Sequence, residues 1–231
     1  LESSSELGMP VIAWVNDLTN SMYADWPKTL KDMMRYRWMS GLPLIQQNFF
    51  QLVVLLDMRD PRALLLLGMY LDATLMDYAI RWGIVPLLED EDCHVLAQLL
   101  WLGMEQLAAL EIPLFLQKLA ATPLTPEGRV DPKQARAVLR SMLPASAQED
   151  NELMAFLNGG ERISGYKRLL ELAKSYLGRL HTMKRPGSSG VAYFNGQEVS
   201  LDEHLISQVF AATKYQLQMA WDDIRDGYID S

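Results

Sequence analysis

The stretch from Asp60 to Leu88 constrains the fold more than any other part of the chain. It opens with Asp60-Pro61-Arg62-Ala63-Leu64-Leu65-Leu66-Leu67-Gly68 and stays apolar, with sparse charges, to its end. Asp ahead of Pro is a helix-opening signal, because the Asp carboxylate accepts from orphan first-turn amides while Pro at the first helical position has no amide to lose. From there to Trp82 the charged side chains are Arg62, Asp72, Asp77 and Arg81 alone. The pattern predicts a helix over 61–82, closed by Gly83 and stopped by Pro86, with most of its circumference apolar. Such a helix belongs inside a helical protein.

The same punctuation divides the rest of the chain. Helices are predicted over 10–22, from Asp25-Trp26-Pro27 to Gly41, and over 44–59, where Ile45, Phe49, Leu52, Val53 and Leu56 recur at three- and four-residue steps. Others follow the acidic turn Glu89-Asp90-Glu91-Asp92 to Leu110, Pro113, Asp131-Pro132, Ser146 with Glu149, and Ser164 to Lys184. A last one opens at Ser200 with Glu203 and runs to Asp226. Between them, Asn195-Gly196 joins two short strand-forming runs and predicts a β-hairpin near 191–199. The expected fold class is therefore all-α, a bundle of about nine helices with one small hairpin. Thr122 to Gly128 is the best internal linker. It divides a Leu/Met-rich subdomain, 1–121, from a more polar one, 122–231, unless the two form one continuous domain.

The 231 residues carry a net charge of −8, which argues against direct nucleic-acid binding. The charge is uneven: residues 128–186 hold 11 basic and 6 acidic side chains, a balance of +5 against −13 elsewhere. A basic region on an acidic chain suits an acidic partner. The single cysteine, Cys93, excludes an internal disulfide and a cysteine-based zinc site within the chain. A reducing intracellular compartment, cytoplasm or nucleus, is the expectation, with a secreted effector as the alternative. The charge-free run Trp38 to Leu56 contains Gly41, Pro43 and four amide side chains, so no membrane span is expected.

Few residue patterns carry chemistry. No nucleophile–base pair, glycine-rich phosphate loop or zinc motif is present, and no cofactor is expected. Thirteen Met and six Trp suit an adaptable apolar cavity, for which Phe49, Phe50, Met69, Tyr70, Trp82 and Met104 are the expected lining, alongside Met58 and Met76. Lys184, Arg185, Tyr193 and Phe194 are the expected contact residues for a protein partner, on and beside the hairpin. Asp222, Asp223 and Asp226 form the only candidate metal site, since residues four apart share a helix face and carboxylate oxygens suit magnesium.

Three resemblances follow from these residues. Asp222-Asp223-Ile224-Arg225-Asp226 is similar to the aspartate motif of isoprenoid synthases, which implies a magnesium-dependent enzyme. Trp101-Leu102-Gly103-Met104-Glu105 fits the Trp-x-x-x-Glu signature of bacterial effectors that act on host GTPases. Residues 26–83, through Trp26-Pro27, Phe49-Phe50, Asp60 to Gly68 and Trp82-Gly83, resemble the C-terminal regulatory region of fungal zinc-cluster transcription factors. That resemblance implies a helical effector domain that receives a partner or an apolar ligand. The leading expectation is accordingly a non-catalytic regulatory or interaction domain, with effector and isoprenoid-type enzyme as alternatives.

Overall fold

A computed structural model describes residues 11–29, 44–161, 163, 165–177 and 190–225, the last nine by their backbone only. Its centre is a strand, β2, over Phe50–Leu56. Phe-Gln-Leu-Val-Val-Leu-Leu is nearly continuous in apolar residues because a strand in the middle of a covered sheet buries both of its faces. After it, Asp60 caps helix α1, Pro61–Thr74, by accepting from the amides of Arg62 and Ala63. The chain returns as β3, Ile80–Pro86, parallel to β2 along its whole length, with Phe50 opposite Ile80 and Leu56 opposite Pro86.

Two flanking pieces complete the sheet. The short β1, Ala13–Trp14, runs antiparallel to β3. A hairpin of β4, Val191–Phe194, and β5, Gln197–Ser200, lies on the other side, where β4 pairs antiparallel with β2. The five strands stand in the order β1-β3-β2-β4-β5. Between β3 and β4 the chain inserts helices α2 (Glu91–Gln106), α3 (Ile112–Ala120), α4 (Pro132–Met142), α5 (Asn151–Leu157) and α6 (Tyr166–Leu177), and α7 (Leu205–Arg225) follows β5. α1 packs closely on α3: a Cβ at Gly68 would meet the Gln117 side chain at 2.8 Å and the Pro113 carbonyl at 3.0 Å. The sheet is built from residues on both sides of the 121/122 boundary.

This α/β architecture corrects the all-α expectation. The segment read as a helix over 44–59 contains β2, and the helix beginning at Pro61 ends at Thr74, leaving Ile80–Pro86 as β3. An apolar run of this length satisfies helical and buried-strand patterns alike, so its periodicity does not discriminate. Gly83 is no helix cap. It lies in mid-strand where β1 crosses, and a Cβ there would come within 2.5 Å of Ile12 and 2.9 Å of Trp14. The segment 10–22 supplies β1 and part of the short 3₁₀ turn Ser21–Tyr23, while most of the predicted helix after Pro27 lies outside the described residues. The hairpin is present as predicted, with Asn195 at φ 45° and Gly196 at φ 84°, the left-handed pair that a tight two-residue turn demands.

Candidate functional site

Because β2 and β3 are parallel, the loops that follow them emerge at the same end of the sheet, the end where open α/β sheets collect functional groups. Both loops are charged here. Arg59, from the first, lies with its side chain 6% exposed and makes a two-pronged contact to Asp57, Nε to Oδ1 at 3.0 Å and Nη2 to Oδ2 at 3.1 Å. From the second loop Glu89 accepts from Nη2 at 2.5 Å and Asp90 accepts from Nη1. The Arg59 carbonyl also accepts from the Val130 amide, joining the helical insert to the same point. Bonding to Asp57 raises the guanidinium pKa above its already high value. Three carboxylates on one buried guanidinium leave it no open edge for a substrate anion.

Asp90 has a second role as the cap of α2, accepting from the Cys93 amide at 2.9 Å; that bond, with Arg59 nearby, holds its carboxyl below the usual range. Cys93 lies in the first turn of α2, where a helix N-terminus would favour a thiolate. Burial wins: the side chain is fully enclosed and its thiol is pushed up. Next to it His94 is pulled below its ordinary pKa by burial and by Lys174. The N-terminus of α1, where a reactive thiol would be equally well activated, carries Asp60 and Pro61 instead.

A second feature lies on the outer face of α1. Leu65 and Met69, one turn apart, are 46% and 57% exposed. With Arg62 and Leu66 they form one wall of a groove of about 490 Å³, whose other wall is Asp202, Glu203 and His204. The Tyr70 hydroxyl donates to the Asp202 carbonyl at 2.6 Å and fixes that wall to the helix.

The six expected lining residues go to different places. Phe50 and Trp82 are buried in the sheet, Phe50 stacking on Phe194 at 6.3 Å, while Phe49 is 47% exposed. Met104 packs at the margin of the core, and only Met69 and Tyr70 reach the α1 groove or its support. Of the expected contact residues, Phe194 is buried and Tyr193 half-buried on β4; Lys184 and Arg185 lie outside the described residues. Asp222 and Asp223 fall on α7 and Asp226 outside the described residues, among which no group of three His, Cys, Asp or Glu is placed to hold a metal. Trp101 stacks on Tyr166 at 6.3 Å, and the Tyr166 hydroxyl donates to Glu105 at 2.5 Å. The Arg59 cluster is not apparent in the sequence, where Glu89-Asp90 is simply part of an acidic turn. The one available signal was an Arg between two Asp residues at the end of an apolar run.

Residues 2–231 match the family described as a thioredoxin-like domain. The chain belongs to that family. No curated protein matches it. Membership replaces the resemblance of residues 26–83 to fungal zinc-cluster regulators. The residues that suggested that likeness are a capped helix and two apolar strands, Phe50–Leu56 and Ile80–Pro86, which any buried β-α-β unit would share. The description of the chain as an all-α helical bundle falls with it. No described helix of this thioredoxin-like chain is long and apolar enough to cross a membrane.

Proposed function

We propose that this thioredoxin-like chain is a non-catalytic interaction domain that receives a protein partner on the outer face of α1. The observation that carries the reading is the absence of a usable thiol pair. Dithiol–disulfide exchange within one chain needs two cysteines, and this sequence has one. That one is enclosed, with its thiolate disfavoured. At the carboxyl end of the parallel strands, the Arg59 cluster joins the two loops through ion pairs. What the chain offers outward is an apolar helix face, Leu65 and Met69, rimmed by Arg62, Glu203 and His204, a composition suited to an apolar anchor with polar neighbours.

The test has two arms. In a dithiothreitol-driven insulin reduction assay the chain is expected to match the protein-free blank; turnover that Cys93→Ala abolishes would overturn the non-catalytic half. A photo-cross-linking residue at position 69 is expected to yield partner adducts that the same residue at position 172 on α6 does not. Equal yields at the two positions would remove the α1 face from the proposal.

A further inference from the structure

The helical insert presents a second surface of different chemistry. Lys133, Arg136 and Arg140 are spaced i, i+3 and i+7 on α4, so they form one stripe about 10 Å long, while Ala135 and Leu139 face the core. The two arginines are held by neutral groups. The Arg136 guanidinium lies over the Phe156 ring at 4.7 Å, and Arg140 Nη1 donates to the Asn158 side-chain oxygen at 2.7 Å. Arg136 Nε is buried without a hydrogen-bond partner, and burial alone lowers the pKa of this guanidinium, with no carboxylate to offset it. Gly159, at φ +97°, brings the turn after α5 beside the same group: a Cβ at that position would stand 3.5 Å from Arg136 Nη1. Among the described residues none of the three cations has an ion-pair partner. The contrast with Arg59, saturated by three carboxylates, is direct.

Cations fixed in place by an aromatic ring and an amide, rather than neutralised, are ready to bind anions. We propose that the Lys133–Arg136–Arg140 stripe docks an acidic protein segment, whose carboxylates pair with the Lys133 ammonium and with the terminal guanidinium nitrogens of the two arginines. The surrounding region 128–186 is the part of the sequence with a positive balance, +5, and it would draw such a segment in. An overall charge of −8 disfavours the long polyanion of a nucleic acid. The proposal is independent of the α1 face.

The experiment is fluorescence anisotropy of a fluorescein-labelled deca-glutamate peptide titrated with the whole chain at low salt. Binding is expected, weakening with salt. Arg136→Gln with Arg140→Gln should weaken it about a hundredfold, each lost charged hydrogen bond being worth roughly tenfold. Arg136→Lys with Arg140→Lys, which keeps both charges but loses the forks, should fall between; it also decides the matter if the Gln pair does not fold. Lys118→Gln on α3, with the same charge change per site, should bind as the parent does. Leu65→Asp with Met69→Asp should also retain peptide affinity, which separates this proposal from the α1 reading. Unchanged affinity in both arginine pairs would overturn the proposal, as would a U10 oligonucleotide that competes as well as free deca-glutamate.

Discussion

Replacing Arg59 by Met tests whether the charged cluster is a mechanical joint between the β2 and β3 loops. The side chain is 6% exposed and Asp57 11%, so their pair is shielded from water, whereas Glu89 and Asp90 are 60% and 48% exposed. The contributions should differ accordingly. Breaking a buried pair leaves an uncompensated charge, at about 3–5 kcal/mol, while a solvent-exposed partner is worth about 0.2–1 kcal/mol. Arg59→Met should therefore cost about 3 kcal/mol, most of it from removing the guanidinium that faces the buried Asp57 carboxylate, which keeps the bond from the residue-59 amide, and lower the melting midpoint by roughly 6–12 °C for a chain of this size. Glu89→Gln should cost less than about 1 kcal/mol. In Asp57→Asn/Arg59→Met the carboxylate charge is removed together with its guanidinium, so the double variant should be more stable than the sum of the single losses by about 1–3 kcal/mol. Urea unfolding followed by tryptophan fluorescence measures all three. Additive losses, or an Arg59→Met penalty below about 1 kcal/mol, would refute the assignment of the stability to the Asp57 contact.

Cys93, enclosed and with a raised thiol pKa, should react with Ellman's reagent only after unfolding in concentrated guanidinium; rapid reaction of the native chain would show that α2 opens. Burial and Lys174 depress the His94 pKa in the fold, so its stabilising effect is complete above about pH 6.5 and is lost as pH falls through the folded value, because the unfolded chain takes up the proton first. His94→Leu should flatten that part of the pH–stability curve, and an unchanged slope would assign it elsewhere. Gly196 has open space where a Cβ would go, so Gly196→Ala should cost only backbone strain at φ 84°, about 1 kcal/mol in chemical denaturation. A loss of several kcal/mol would mean that the turn also sets the register of β4.

Local signals were legible wherever one residue decides the outcome. Asp60-Pro61 and Asp131-Pro132 open α1 and α4, and Asn195-Gly196 turns the hairpin. Capping was legible only to within a few residues: Asp150, not Ser146, caps α5, and Asp202 accepts from the His204 amide ahead of α7 where Ser200 was expected to act. The central strands were not legible. Leu52, Val53 and Leu56 meet a helical spacing by coincidence, because a strand covered on both faces needs no polar alternation. The Arg59 cluster depends on two loops 30 residues apart in sequence, brought together by parallel pairing that the sequence does not announce. The basic balance of 128–186 was visible as composition, but the ring and amide that hold Arg136 and Arg140 were not.

The helical insert also sets the order in which this domain can fold. Gln51 and Asn195 exchange hydrogen bonds although they are 144 positions apart, so β2 cannot be closed on that side until the whole insert has been made. Until then β3 is the one neighbour in the finished sheet that Phe50–Leu56 can pair with, and its other edge has no native cover. An open edge of that kind recruits strands from other chains, and long-range closure is slow. The last residues of the hairpin thus act as a late lock: shortening or delaying them should show first as aggregation of nascent chains, before any change in the stability of molecules that have finished folding.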